Sequence, residues 1–327
     1  MSIKNEQRRI PREPSTQGIE YRRLGRSELV VSNIGFGASP LGNVFGKTDP
    51  DGGKRAVHCA IENGITFFDV SPYYGLTLAE ERLGDALVGY RDQIILATKC
   101  GRYGEDRFDF SANTISAGLE DSLRRLKTDH VDLLQVHDVE FGDLAQIVHE
   151  TIPAMRKLQE QGKTRAIGIT GYPLRALTRI AESIPVDTIL TYCRYNLMIT
   201  DMDEILTPVA IEEDIGLINA SVLNMGLLTE RGAPDWHPAL PEIREAGKRA
   251  VDLCSRRGVS LPAIAIRFAL DHPCVSSTLV GMSSVQHVYE TIDALTARSD
   301  IELMEEIRAI LKPVLNSVWV SGRPENQ

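Results

Sequence analysis

The sequence predicts an α/β fold: a (β/α)8 TIM barrel with an N-terminal β-hairpin before it and extra C-terminal helices after it. Three observations support this prediction. Short apolar segments that predict strands alternate with segments of helical spacing, and this alternation implies parallel strand pairing. No linker rich in glycine, proline or serine divides the chain. The eight units cover about 250 residues, which is the usual size of such a barrel.

The strands are predicted from short apolar runs that glycine or turn residues bound. A hairpin comes first, at residues 21–31. The next strand ends in two glycines. The strand after it contains Phe67-Phe68-Asp69 and is followed by Ser71-Pro72, where a loop is predicted because the residue before a proline disfavours helix. The eight predicted barrel strands are residues 31–37, 66–69, 93–99, 131–137, 164–170, 188–192, 216–220 and 277–280.

The helices are predicted where apolar residues recur at a spacing of three and four. The stripe of Ile115, Leu119, Leu123 and Leu126 is the clearest case. Pro153 predicts a kink or a helix start within a longer helical segment. The predicted helices are residues 56–64, 78–88, 111–126, 143–161, 174–183, 202–214, 241–257, 262–270, 284–295 and 301–311.

A doubly wound sheet is the rival fold, and its dinucleotide fingerprint is incomplete here. That fold requires Gly-x-Gly-x-x-Gly after the first strand. Gly35 and Gly37 are present, but Pro40 stands at the position of the third glycine. Residues 42–48 resemble a phosphate-binding loop but are one residue too short. The barrel is therefore the preferred prediction.

Composition narrows the function and the compartment. The 327 residues carry a net charge of −9, and this disfavours nucleic acid as a partner, since nucleic-acid binding needs a basic face. No apolar run reaches membrane-spanning length, so no membrane association is expected. The five cysteines lack CxxC spacing, which predicts reduced thiols and a cytoplasmic location. Residues 1–20 are predicted to be a flexible tail, with a transit peptide as the alternative, and residues 21–327 one barrel domain. The sequence leaves a monomer and a homodimer open.

Three residues with functional side chains end three consecutive predicted strands. They are Asp69, Lys99 and His137, and Tyr74 follows in the loop after the first of these strands. In a barrel, the carboxyl ends of all strands open onto one C-terminal mouth. A buried Lys99 needs a partner, because an isolated buried charge is costly, and Asp69 is the expected one. Each residue alone could be a helix cap or a packing residue, but the equivalent positions favour a shared site.

These residue types point to proton transfer coupled to redox chemistry. A phenol has a pKa of about 10 in water, and a nearby ammonium lowers it, so Tyr74 beside Lys99 is the expected proton donor or acceptor. His137 is expected to hydrogen-bond a substrate oxygen. The sequence shows no metal-ligand spacing and no Gly-x-Ser-x-Gly elbow. No metal site is predicted, and the chemistry expected here is hydride transfer to or from a nicotinamide.

Asp69-x4-Tyr74-Gly75, Thr98-Lys99 and residues 133–137 resemble, in order and spacing, the catalytic tetrad of the aldo-keto reductase superfamily. The resemblance covers nearly the whole chain. It implies a (β/α)8 barrel, a nicotinamide cofactor across the C-terminal mouth, and Tyr74 as general acid or base.

Other segments are similar to the L-galactose dehydrogenase subgroup of that superfamily. These are residues 167–174, 191–195, 225–238 with the Trp236-His237-Pro238 loop, and 319–322. The resemblance implies an NAD-dependent aldose 1-dehydrogenase that oxidises the C1 hydroxyl of a sugar, L-galactose first, to a lactone. Tyr74 would then act as the base.

The resemblance also implies which residues hold the cofactor. They are Gly37, Thr170, Tyr192, Ser221, Leu223, Gly281, Ser283, Ser284, His287 and Glu290. Thr170-Gly171 replaces a Ser-Asn pair, Tyr192 a glutamine and Ala220 a stacking tyrosine, so some contacts differ from the usual pattern. Relatives that use NADP carry lysine and arginine where Ser284 and His287 stand. Because a 2′-phosphate needs cationic partners, NAD is expected over NADP, unless Arg231 or Lys47 supplies the charge.

The expected substrate is a small sugar, and the residues expected to contact it are Tyr73, Asp138, Tyr172, Trp236 and His237, with Tyr103 a further aromatic candidate. Three alternatives remain open. The sugar could be L-fucose or D-arabinose, which share the C2–C4 stereochemistry of L-galactose. The substrate could instead be pyridoxal or another aldehyde. In a different class, the protein could be a non-catalytic, cofactor-sensing subunit.

Overall fold

Eight parallel strands close into a barrel, and a separate antiparallel hairpin precedes them. The computed structural model describes residues 18–297 and 301–327. The hairpin consists of β1 (Tyr21–Arg23) and β2 (Val30–Ser32). The barrel strands are β3 (Ile34–Gly37), β4 (Phe67–Asp69), β5 (Ile95–Cys100), β6 (Val131–Val136), β7 (Thr164–Gly171), β8 (Thr188–Tyr192), β9 (Gly216–Ala220) and β10 (Val275–Gly281). Strand β10 pairs with β3 and closes the ring.

Helices connect the strands and cover the barrel. They are α1 (Pro50–Glu62), α2 (Leu78–Leu87), α3 (Ala112–Leu126), α4 (Leu144–Gln146), α5 (Ile152–Glu160), α6 (Leu174–Ser183), α7 (Met202–Ile205), α8 (Thr207–Glu212), α9 (Pro241–Arg256), α10 (Leu261–Leu270), α11 (Val285–Asp293) and α12 (Ile301–Leu311). None of the helices within the described residues is both long enough and apolar enough to cross a membrane.

The hairpin closes the end of the barrel opposite the candidate site. Leu24, Leu29 and Val31 of the hairpin pack with residues that point inward from the barrel strands, such as Phe67 and Leu133. Apolar side chains of alternating strand residues fill the interior of such a barrel, so it is a packed core and not a channel. The C-terminal mouth is the end at which barrels of this kind bind their ligands.

The structure confirms the predicted fold class and every predicted barrel strand, with differences at helix ends. Helix α1 begins at Pro50, where the Asp49 side chain caps it, and not at the predicted residue 56. The first turn is polar, so the apolar spacing did not indicate it. A π-helical turn at Ile147–Thr151 separates α4 from α5 just before Pro153. The predicted helix at 202–214 is two short helices, and Pro208 stands in the first turn of the second. The predicted tail falls largely on residues 1–17, outside the described residues, so the division at residue 20 stays a prediction.

The last residues of the chain return to the C-terminal mouth. Ser321 donates a hydrogen bond to Glu140 Oε1 (2.9 Å), and Asn326 donates to the backbone oxygens of Glu140 and Gly142 (2.9 and 3.0 Å). Glu140 belongs to the turn after β6. Residues 317–327, the C-terminal strap, therefore form one wall of the mouth.

Candidate active site

A buried ion pair lies at the base of the mouth. Lys99 Nζ donates to Asp69 Oδ1 and to the backbone oxygen of Val70, the latter at 3.0 Å. The other carboxylate oxygen of Asp69 accepts from Gln135 Nε2 at 2.9 Å. Asp69 is 3% and Lys99 2% exposed. Burial acts to lower the pKa of Lys99, but Asp69 and then Tyr74 outweigh it and raise that pKa. Lys99 is therefore a cation, as the sequence predicts.

Tyr74 lies beside this ammonium. The Lys99 Nζ is 4.9 Å from the centroid of the Tyr74 ring. The loop takes this course because Gly75 has a φ of +63° and packs against a backbone oxygen of Gly42, where a Cβ would come within 2.2 Å. Tyr74 and Lys99 are therefore adjacent, as the sequence predicts.

The pKa of Tyr74 differs from the expectation. Burial of the phenol raises the pKa to about 12, and the Lys99 ammonium lowers it by less than burial raises it. The sequence analysis included the ammonium but not the desolvation, so the expected net lowering was wrong. Tyr74 is protonated at neutral pH.

His137 completes the cluster directly after β6. Its Nδ1 lies 2.9 Å from Ser71 Oγ, and its ring meets the Tyr74 ring edge-on, with 5.7 Å between centroids. Burial lowers the pKa of His137 to about 3, with Lys99 and Arg102 adding to the effect against Asp138. His137 is therefore neutral at physiological pH and has one ring N–H to donate.

Arg102 is one of the residues at the mouth that the sequence analysis missed. Its guanidinium forms a salt bridge with Asp138 and lies 3.8 Å from the centroid of the Tyr73 ring. Asp138 is 3% exposed and has a φ of +54°, and its backbone N–H is held by Thr170 Oγ1 at 3.1 Å. The signal was available, since Arg102 comes three residues after Lys99 at the end of the same strand.

Aromatic residues form the neighbouring part of the mouth, after β7 and along the C-terminal strap. Tyr172 stacks on Trp319 of the C-terminal strap, with ring centroids 4.4 Å apart. His237 meets Trp319 edge-on at 5.4 Å, and Trp236 is 55% exposed beside it. The predicted candidates Tyr172, Trp236 and His237 thus share one wall. Tyr103 lies outside this wall, because its hydroxyl donates to the backbone oxygen of Thr114 in α3 at 3.3 Å.

A second part of the mouth fits the phosphates of a dinucleotide. Strand β10 ends at the exposed Gly281, and α11 begins with Ser284 as its N-cap, whose side chain accepts from the His287 N–H. The other first-turn N–H groups of a helix have no partner within it, and they attract phosphate oxygens. The Ser283 N–H donates to His287 Nδ1 at 3.3 Å. The predicted residues Gly281, Ser283, Ser284 and His287 are therefore brought together here.

The remaining predicted cofactor residues divide into two groups. Gly37, Thr170, Tyr192 and Ser221 lie at or just after the carboxyl ends of β3, β7, β8 and β9, around the mouth. Leu223 and Glu290 lie farther along their connections: Leu223 packs against the core, and Glu290 is exposed on α11 beside Gln286. Which of them contact a cofactor stays a prediction, as do the roles of the other site residues.

Within residues 18–297 and 301–327, no three His, Cys, Asp or Glu side chains are grouped so that they could hold a metal ion.

Comparison with known proteins identifies the family. The model of the Aldo/keto reductase family matches residues 33–312. The chain is a member of this family. It is 48% identical over 318 residues to an L-galactose dehydrogenase from Arabidopsis thaliana, covering 94% of this chain and 99% of that protein. It is 32% identical to a D-threo-aldose 1-dehydrogenase from a Pseudomonas species, with 78% and 86% covered.

Solved structures agree with this assignment. The aldo-keto reductase AKR11C1 from Bacillus halodurans, in a holo form, superimposes with a TM-score of 0.75 at 27% identity, and the match covers 92% of this chain and 98% of that one. The predicted resemblance to the superfamily and its L-galactose dehydrogenase subgroup is confirmed. Membership makes the chain an oxidoreductase of the aldo-keto reductase type and implies a nicotinamide cofactor.

Proposed function

We propose that the protein is an NAD-dependent aldose 1-dehydrogenase that oxidises the anomeric C1 hydroxyl of a sugar, L-galactose first, to its lactone. The observation that carries this proposal is the 48% identity to an L-galactose dehydrogenase over nearly the full length of both chains. The mouth geometry is compatible with it, since the Tyr74 phenol lies beside both an ammonium and a neutral imidazole.

In this proposal the proton moves to Tyr74. His137 donates its ring N–H to the C1 oxygen and holds it, while the Tyr74 phenolate takes the hydroxyl proton. Lys99 stabilises that phenolate, and Asp69 keeps Lys99 in place and charged. The nicotinamide, when bound, supplies the acceptor for the hydride that leaves C1.

The polarity of the mouth favours a sugar over an apolar aldehyde. Asp138, held by Arg102, offers carboxylate oxygens to hydroxyl groups on one side. Trp319, which stacks on the buried Tyr172, offers a flat apolar face nearby. A pyranose presents both hydroxyl groups and an apolar C–H face, so it matches the carboxylate and the indole at once. We propose that these residues contact the sugar and that Tyr73, Trp236 and His237 line the same cavity.

NAD is the proposed cofactor because the α11 end of the mouth lacks a lysine or arginine. The residues there are Ser283, Ser284 and an exposed His287. Arg231 donates to the backbone oxygen of Phe45 at 2.6 Å, in the loop that also carries Lys47. A 2′-phosphate bound at the α11 end would lack the cationic partner that it needs there. The free state of all five cysteines fits the proposed cytoplasmic location.

A panel of aldoses tests the proposal. The purified protein is mixed with NAD or NADP and with L-galactose, L-fucose, D-arabinose, D-galactose or pyridoxal, and nicotinamide reduction is followed by absorbance. We expect the highest kcat/KM with L-galactose and NAD, and lactone in the product by NMR. Tyr74→Phe serves as the control and should lose turnover while still binding NAD. A preference for pyridoxal would contradict the proposal. The absence of nicotinamide reduction with every compound of the panel would also contradict it, and would favour a cofactor-sensing role.

A further inference from the structure

Ser71 is a buried hydroxyl at the centre of the site, and no role has yet been given to it. It follows β4 in the loop that leads to Tyr74 and is 0% exposed. Its Oγ has two recorded neighbours. The backbone N–H of Tyr73 donates to it at 3.1 Å, and His137 Nδ1 lies 2.9 Å away.

A count of protons fixes the direction of the second contact. A serine hydroxyl has one proton to donate and can accept twice. The Tyr73 N–H already uses Ser71 Oγ as an acceptor. If His137 Nδ1 also donated to it, the Ser71 proton would have no acceptor among the described residues. A buried unpaired donor is costly, so the arrangement that satisfies every group has Ser71 donating to an unprotonated Nδ1.

We infer that Ser71 is a positioning residue that donates its hydroxyl proton to His137 Nδ1 and so places the single imidazole N–H on Nε2. The Nε2 atom lies 3.6 Å from Asp138 Oδ2, too far for a hydrogen bond, so its N–H is available to a substrate oxygen. The other tautomer would present a lone pair to that oxygen, and a lone pair cannot stabilise the negative charge that develops on the oxygen as its proton leaves. Ser71 therefore determines whether His137 can donate, without touching the substrate itself.

The neutral state of the ring is consistent with this assignment. Asp138 favours a charged imidazole, whereas burial, Lys99 and Arg102 oppose it, and the net effect keeps His137 neutral. A neutral ring has only one N–H, so the choice between Nδ1 and Nε2 matters for catalysis.

Nitrogen NMR tests the tautomer without any assumption about the substrate. The protein is labelled with 15N-histidine, and the His137 signals are assigned by their loss in His137→Gln. We expect a protonated Nε2 and an unprotonated Nδ1 that accepts a hydrogen bond. In Ser71→Ala, the Nδ1 signal should move to the position of a free lone pair or show a protonated fraction. A protonated Nδ1 in the unmodified protein would overturn the inference.

Kinetics test the consequence, and this part rests on the proposed function. Ser71→Ala should lower kcat about tenfold, the effect of losing one oriented hydrogen bond, with the KM for NAD unchanged. Ser71→Cys keeps the shape with a weaker donor and should behave like Ala, whereas Ser71→Thr should restore activity. Ser183→Ala removes an exposed hydroxyl on α6 and serves as the matched control. A kcat for Ser71→Ala within twofold of the unmodified enzyme would refute the positioning role. If no sugar is a substrate, the proposed function fails, and the NMR result still decides the tautomer.

Discussion

Replacing Lys99 by methionine tests the electrostatic basis of the proposed mechanism. Methionine keeps much of the length and apolar stem of lysine but removes the ammonium. Over the 4.9 Å between Nζ and the Tyr74 ring, and at an effective dielectric constant of about 20, the lost attraction is worth about 3 kcal/mol. Because about 1.4 kcal/mol corresponds to a factor of ten, the phenolate should become roughly 100-fold rarer at a given pH.

The expected result is a kcat for sugar oxidation roughly 100-fold lower, with a displaced pH profile. Oxidation requires the phenolate, and the pKa of Tyr74 is raised to about 12, so the rate in the unmodified enzyme should rise with pH throughout the neutral range. Without the ammonium the same rise should begin at a higher pH. Lys163→Met removes a lysine that pairs with Glu120 at the surface and should change neither quantity.

Stability must be measured on the same variants, because Lys99→Met also breaks a buried ion pair. Removing one partner of such a pair costs about 3–5 kcal/mol, since the remaining charge is left uncompensated. Asp69 would keep only its contact with Gln135. The double variant Asp69→Asn with Lys99→Met replaces both charges and should recover much of that loss in urea unfolding, but not the activity. An unchanged pH profile in Lys99→Met, with the fold intact, would refute the reasoning.

Three further predictions follow from the geometry. His287→Arg should raise kcat/KM for NADP relative to NAD about tenfold, because it supplies a charge for the 2′-phosphate, as steady-state kinetics would show. Gly75→Ala should destabilise the Tyr74 loop by at least about 1–2 kcal/mol and lower kcat, since a Cβ is strained at positive φ and would meet a backbone oxygen. Burial raises the pKa of Glu140 from 4.5 to about 8, so the folded state binds the extra proton. The free energy of unfolding should therefore fall as the pH rises from about 4.5 to 8, and Glu140→Gln should flatten that fall in pH-dependent urea titrations.

The barrel and the cluster of polar side chains at its mouth could be predicted because both depend on local sequence. Apolar runs predict strands, and the carboxyl ends of parallel strands meet at one mouth, so Asp69, Lys99 and His137 converge without further information. The contact between Ser71 and His137 could not be predicted in the same way. It joins residues 66 positions apart and depends on the register and side-chain rotamers of two strands.

The pKa of Tyr74 shows a different limit of sequence reasoning. The neighbouring charge could be inferred from the order of the strands, but the loss of hydration depends on everything that packs around the phenol. The C-terminal strap is a similar case. Its aromatic residue Trp319 stacks on Tyr172 and donates its backbone N–H to the Tyr172 hydroxyl at 3.3 Å, while Ser321 and Asn326 bind the turn at Glu140. No periodic pattern reveals such contacts.

In the proposed mechanism, the protonation states at the mouth determine how one geometry serves both directions of the reaction. Lys99 and Asp69 form an ion pair without net charge. His137 is uncharged, and Tyr74 holds its proton at neutral pH. In that state Tyr74 is ready to donate, which suits carbonyl reduction. Oxidation needs the rarer phenolate, and Lys99 is the group that makes it accessible. Oxidation should therefore accelerate as the pH rises through the neutral range, whereas reduction should stay level until the pH approaches about 12, with the same four residues in place. The preferred direction then depends on pH and on the substrates present, and no additional catalytic residue is required to explain it.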